Sequence, residues 1–219
     1  MSSTKPVLHY WKGRGRAEII RLTLAAVGVE WEDAPYLNEP ADFEKLRSEG
    51  KLFFNQLPLL QMDGMNLVQT IATVRYIAAK HGLNGKTPEE QYRIDLLSEG
   101  LRDFYAPFFA FKFQPDENVM SAVTTNINRY MPIFEKTLTE NGHGHLVGDR
   151  LTMADVQLLE ILLAINHYKP ESFASNPNLK AFMDKISALP SIAAYLKSDK
   201  RFPPNNDEYC TAVNRTLGR

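Results

Sequence analysis

Among its 219 residues the chain has a single cysteine, Cys210, which excludes an internal disulfide framework and any multi-cysteine metal site. Charge of one sign is also missing. Twenty-five lysines and arginines stand against 26 acids, a formal net charge of −1, so no whole-protein field gathers nucleic acid or an anionic membrane. No apolar run approaches the ~18 residues of a membrane span, and no integral membrane association is expected. The opening "MSSTKPVLHY" has no apolar core followed by a small-residue cleavage site, so the expected address is cytoplasmic. What the chain does have is 44% apolar and 23% charged residues, the composition of a soluble protein with a packed core.

Two halves differ in character. In residues 1–82 strand and helix signals alternate. "PVLHY" is a short apolar-rich run, and from Arg16 the residues Ala17, Ile20, Leu24 and Val27 recur at helical spacing until Gly28, a residue suited to a left-handed helix end. "VEWED" reads as a second strand, which favours a parallel βαβ unit with a right-handed crossover. A polar, irregular segment at 38–51 follows, where a helix is only bracketed. "PLLQM" and "MNLV" then flank Asp63-Gly64, a strong hairpin signal, and Ile71, Val74, Ile77 and Ala78 form a last helical stripe. The order is βαβαββα. Residues 83–87 read as a linker, with Thr87 as cap and Pro88 at the first helical position. From 88 to 219 the patterns are all helical. "LTMADV" carries a capping-box variant at Thr152 and Asp155, and a C-terminal helix is expected at about 207–217.

Several motifs fail as chemistry. "KGRGR" lacks the Gly-Lys-Ser/Thr ending of a phosphate loop. "HGH" at His143 to His145 has no third metal ligand near it in sequence, and a polar loop is preferred. Cys210 falls in an apolar stripe with Tyr209, Val213 and Leu217, which points to packing rather than nucleophilic catalysis. Tyr10 stands apart. It ends the first strand, where open α/β sheets receive ligands, and the next helix aims its N-terminal donors at the same place. Arg16 opposes the helix dipole there, a broken local rule of the kind that marks function. Gln56-Leu57-Pro58, before the third strand, and Gln69-Thr70, opening a helix, converge on that end of the sheet. Together they suggest a site for a small anionic molecule.

"HYWKGRGRAEIIRLTLAAVGVEWE", "FFNQLPLLQMDGMNLVQTIATVRYIA", "NRYMPIFEKTL" and "HLVGDRLTMADVQLLE" closely resemble the cytosolic glutathione transferases, most of all the alpha class. The resemblance runs from about Lys5 to the last residues. It implies a thioredoxin-like domain (1–82), an all-helical domain (88–219), a homodimer in which close relatives can also pair, and no cofactor beyond glutathione as co-substrate. It makes Tyr10 the catalytic hydroxyl, donating to the glutathione sulfur, with Arg16 in support. Arg47, Gln56, Leu57 (through its backbone), Gln69 and Thr70 match positions that hold the tripeptide, and Asp103 and Arg129 match residues reaching it from the neighbouring subunit. Phe54 matches an aromatic key entering a partner pocket that includes Leu96 and Phe134. Trp11, Gly13, Phe109, Phe113, Cys210, Val213 and Leu217 would line the electrophile site. Three features depart from the alpha pattern: Ile71 replaces an arginine, "QLP" replaces Gln-Val-Pro, and "RGRAEIIR" leans toward the sigma class. The implied activity is conjugation of glutathione to hydrophobic electrophiles in detoxification, with reduction of organic hydroperoxides as a possible extension. Alternatives are a sigma-like prostaglandin or steroid isomerase using the same site and a non-catalytic carrier of hydrophobic ligands.

Overall fold

In the computed structural model, which describes residues 5–218, the strand β1 (Val7–His9) lies at the centre of a four-stranded sheet of order β2-β1-β3-β4. β2 is only Glu32–Asp33, parallel to β1; β3 (Leu59–Met62) and β4 (Met65–Val68) complete an antiparallel edge. The β3–β4 turn places Asp63 at φ 54° and Gly64 at φ 76°. Two consecutive positive φ values are what a two-residue hairpin with right-handed strand twist requires, and Asp-Gly supplies them. Leu8, Leu59 and Leu60, on its two inner strands, are fully buried, so both faces of the sheet are covered.

Between β1 and β2 runs α1 (Glu18–Ala26), entered through a 3₁₀ turn at Gly15–Ala17. It packs on α3 (Thr70–His81) of its own domain and on α6 (Met153–Tyr168) and α8 (Pro190–Leu196) of the helical half. α1 is therefore the interface helix, which accounts for its burial on all sides. The polar segment at 38–51, given no firm element by its sequence, forms α2 (Pro40–Ser48). Its start is fixed by Pro40 and by the Asp42 carboxylate, which accepts the backbone N–H groups of Asn38 and Glu39, both at 2.9 Å. Only Leu46 of α2 is buried, so the helix left no apolar period to read.

The helical half contains α4 (Pro88–Tyr105), α5 (Asp116–Asn141), α6, α7 (Pro177–Ser187), α8 and α9 (Asp207–Leu217). α4 is capped as expected, Thr87 Oγ1 accepting from Glu90 N–H at 3.2 Å. Every residue of α6 from Met153 to Leu162 is buried. At its start Asp155 accepts from the N–H groups of Leu146 at 2.7 Å and Thr152 at 2.8 Å, which anchors the preceding "HGH" loop to the helix.

Candidate functional site

Tyr10 follows the last residue of β1 and is 4% exposed. The chain then turns back so that the Arg16 N–H, in the 3₁₀ turn, donates to the Tyr10 hydroxyl oxygen at 3.0 Å. Burial pushes the Tyr10 pKa up, against the lowering influence of hydrogen bonds from Tyr209 and the Arg16 backbone. The phenol therefore stays protonated across the physiological range, a donor rather than a base. The Arg16 guanidinium lies over the Phe109 ring at 4.7 Å, a cation–π contact that ties the mouth of the site to the helical half.

A cleft of about 750 Å³ opens here. Its floor comes from junctions of the sheet domain: Tyr10, Arg16, the loop through Asn55 to Pro58, and Gln69-Thr70. The Leu57–Pro58 bond is cis. Gln69 Nε2 donates to Gln56 Oε1 at 3.1 Å, and Thr70 Oγ1 donates to the Arg16 carbonyl at 3.2 Å, so three separate segments are laced together. The opposite wall is helical and mostly apolar, with Phe109, Phe113, Ile161, Val213 and Leu217. One end is thus polar, rich in donors and beside a cation, and the other is greasy. Such a cleft suits a two-part ligand whose anionic portion meets a hydrophobic one near the Tyr10 hydroxyl.

Of the residues expected in the site, Tyr10, Trp11, Arg16, Gln56, Leu57, Gln69, Thr70, Phe109, Phe113, Val213 and Leu217 line this one cleft. Others do not. Cys210 lies around α9 from the 209, 213, 217 stripe, its thiol facing the Phe111 carbonyl at 3.9 Å, and burial raises its pKa to about 11. Gly13 is covered by the Tyr209 ring, so it shapes the site from behind instead of lining it. Arg47 is paired with Glu44 at 2.9 Å on the exposed side of α2. Asp103 and Arg129 stand outside the cleft of their own chain, beside Arg102 and over the Tyr130 ring respectively. Phe54 and Leu96 are 56% and 55% exposed, whereas Phe134 is sealed in the core, stacked on Phe104, and can offer a partner no open surface.

Tyr209 escaped the sequence reading as a functional residue. Its hydroxyl lies 3.2 Å from that of Tyr10, across 199 positions of chain. The available signal was a polar-tipped ring heading the 209, 213, 217 stripe, a type that seeks a hydrogen-bond partner when buried. Tyr105 and Gln157 also reach the cleft unannounced.

Two family models match: the glutathione S-transferase N-terminal domain over residues 6–79 and the glutathione S-transferase C-terminal domain over 102–199. A glutathione S-transferase of Gallus gallus is 42% identical over 210 residues, covering 94% of this chain and 95% of its own. The chain belongs to the glutathione S-transferase family. Glutathione S-transferase alpha-2 of Rattus norvegicus is likewise 42% identical, over 94% of both chains, and the likeness is greatest to the alpha class. Among solved structures, monomeric Na-GST-3 of Necator americanus superposes with a TM-score of 0.79 at 29% identity, covering 93% of this chain and all of its own. NaGST-2 gives 0.78 at 26% identity over 94% and 99%. Both domains of the family are present, in the order that the sequence implied.

Proposed function

We propose that this family member catalyses attack of the glutathione thiolate on hydrophobic electrophiles, with Tyr10 as the hydroxyl that stabilises the sulfur. The observation that carries it is the buried, protonated Tyr10 phenol, fixed by the Arg16 N–H at the meeting point of a polar floor and an apolar wall. On this reading Gln56, Gln69, Thr70 and the Leu57 backbone hold the tripeptide. Asp103 and Arg129 act across a homodimer, and the substrate's apolar part lies on Phe109, Phe113, Val213 and Leu217. The relatives' names support glutathione as the thiol. Reduction of hydroperoxides would use the same thiolate. Among the described residues no helix is long and apolar enough to cross a membrane.

A thiol of pKa ~8.5 is only ~3% thiolate at pH 7. One charge-assisted hydrogen bond contributes ~1.5–3 kcal/mol, and a shift of ~2 units needs ~2.7 kcal/mol, so Tyr10 with Arg16 nearby suffices. The thiol proton leaves to solvent. For an aryl halide the sulfur forms the new C–S bond and halide departs. Tyr10→Phe tests the reading: thiolate absorbance of bound glutathione and conjugation of an aryl halide near neutral pH both fall, the rate by at least ~10-fold, while glutathione affinity barely changes. Equal rates in the two proteins would remove Tyr10 from the mechanism.

A further inference from the structure

The pair of glycines in "KGRGR" has no phosphate to serve, yet both are required by the structure. A Cβ on Gly13 would run into the Tyr209 ring, and one on Gly15, itself at φ 40°, would strike the hydroxyls of both Tyr209 and Tyr10. The two missing side chains make a seat, and the ring of Tyr209 occupies it. Phe113 closes the seat edge-on at 5.9 Å between centroids, and the Asn206 side chain caps α9 by accepting the Tyr209 N–H at 2.9 Å. From below, the Arg21 guanidinium donates to the Gly13 carbonyl at 2.9 Å. Tyr209 is thus positioned as firmly as Tyr10, with its hydroxyl 3.2 Å from the Tyr10 oxygen.

A phenol has one proton and two acceptor sites. The Arg16 N–H takes one acceptor site of Tyr10. If the one proton of Tyr10 is given to a sulfur anion, the contact with Tyr209 survives only with Tyr209 as donor, a change that needs rotation of a hydroxyl and no movement of either ring. We propose that Tyr209 is a positioning residue of the thiolate site, donating to the Tyr10 oxygen so that Tyr10 turns its single proton to the sulfur. An accepted hydrogen bond polarises the phenol and strengthens the bond it donates. The relay also gives α9 a direct part in thiol activation, in addition to roofing the cleft. This inference rests on the glutathione reading.

The charged and titratable neighbours of the pair are Arg16 and Arg21 on the sheet domain, Arg102 and Tyr105 on α4, Cys210 on α9, and the Lys12–Glu208 ion pair at 3.6 Å. Tyr209→Phe leaves all of them in place and keeps the ring in its seat. In the full-length protein, with glutathione as the probe, this variant raises the pKa of the bound thiol by roughly half a pH unit. The low-pH limb of kcat/KM for an aryl halide moves by the same amount, about threefold in rate, with the KM for glutathione within about twofold. In the Tyr10→Phe background the same change adds no further shift. Gly13→Ala, which keeps the Tyr209 hydroxyl but displaces its ring, moves the pKa in the same direction. An unshifted thiol pKa in Tyr209→Phe overturns the relay while leaving conjugation by Tyr10 intact. An equal shift in the Tyr10→Phe background also overturns it, because Tyr209 would then meet the sulfur directly. A wild-type protein that forms no thiolate at neutral pH defeats the functional reading itself, and the relay with it.

Discussion

Replacing Arg201 by methionine tests what holds the two domains in register. The Arg201 guanidinium bonds Glu18 of α1 and, at 2.7 Å, Glu160 of α6; both carboxylates are wholly buried. Burial alone would lower the Arg201 pKa, but Glu160 and Glu18 outweigh it and raise it, so the cation is permanent. Methionine fills most of the volume and leaves two buried carboxyl groups without the cation they share. Breaking one side of a buried pair costs about 3–5 kcal/mol. The lower half of that range applies, because Glu160 keeps a hydrogen bond from the Tyr105 hydroxyl at 2.8 Å, and Glu18 keeps one from the Tyr195 hydroxyl and a 3.7 Å approach from Arg21. About 3–4 kcal/mol corresponds to a fall in Tm of about 6–16 °C for a chain of this size.

The pH dependence has a definite sign. Glu160 has its pKa raised in the folded protein, burial outweighing the Arg201 charge, so the native state holds that proton more tightly than the unfolded chain does. Stability attached to Glu160 therefore falls as pH rises from the ordinary carboxylate range through its raised value. Without Arg201 the pKa is raised further and the effect grows. Urea unfolding of wild type and Arg201→Met should show a deficit clearly larger near pH 8 than near pH 5. A deficit below about 1 kcal/mol, or one independent of pH, would refute the assignment of these buried charges as the interdomain fastening.

Two further outcomes are expected. Phe54→Ala, which removes a 56% exposed ring stacked edge-on with Phe53 at 4.8 Å, weakens the proposed dimer at least ~10-fold; sedimentation showing an unchanged dimer at low concentration contradicts the key assignment. Gly13→Ala costs about 1–3 kcal/mol by overpacking against the Tyr209 ring, and hydrogen exchange in residues 207–217 accelerates; unchanged protection of α9 would mean that the seat is not what holds it.

Features governed by neighbours in sequence were legible before the structure. The Asp63-Gly64 hairpin, the Thr87-Pro88 start of α4 and the Thr152/Asp155 cap of α6 each depend on residues within a few positions, and each is formed. Tyr10, Gln56-Leu57 and Gln69-Thr70 were legible as a group because strand ends and helix starts fall on one side of such a sheet. α2 was not, since its single buried residue gives no periodicity. Nor was the pairing of Glu18 with Arg201, 183 positions apart, or of Tyr10 with Tyr209. Polar partners at that range leave no mark in local composition; only the fold brings them together. Cys210 and Gly13 depart from expectation in the opposite way. Membership of the right stripe or loop placed them near the cleft, while the side to which each faces was decided by one turn of α9 and by the Tyr209 ring.

A hydrogen bond to sulfur can raise the thiolate population only ~25-fold, from ~3% to ~75% at pH 7. On the proposed function, further rate has to come from holding the electrophile against that sulfur, where effective concentration is sensitive to displacements of an ångström. The sulfur would be held by the sheet domain, through Tyr10 and the Gln69-Thr70 junction, while the electrophile's wall is built by the helical domain. Catalysis then depends on the register between two bodies that could slide on an apolar surface, since dispersion and hydrophobic contact have little direction. Directional contacts cross this boundary at several places, Arg75 to Asp95 at 2.8 Å, Lys200 to the Trp31 carbonyl at 2.7 Å and Arg215 to Glu39 at 3.0 Å among them, and two lie buried. Arg201 clasps Glu18 and Glu160 deep inside, and Tyr209 meets Tyr10 at the rim. Arg21 links them, pairing with Asp33 at 2.8 Å, lying 3.7 Å from Glu18, and holding the carbonyl of Gly13 under the Tyr209 ring. Burying that many charges contributes little net stability compared with an apolar interface. On the proposed function, what it supplies is alignment, and a site divided between two domains needs that more than it needs extra stability.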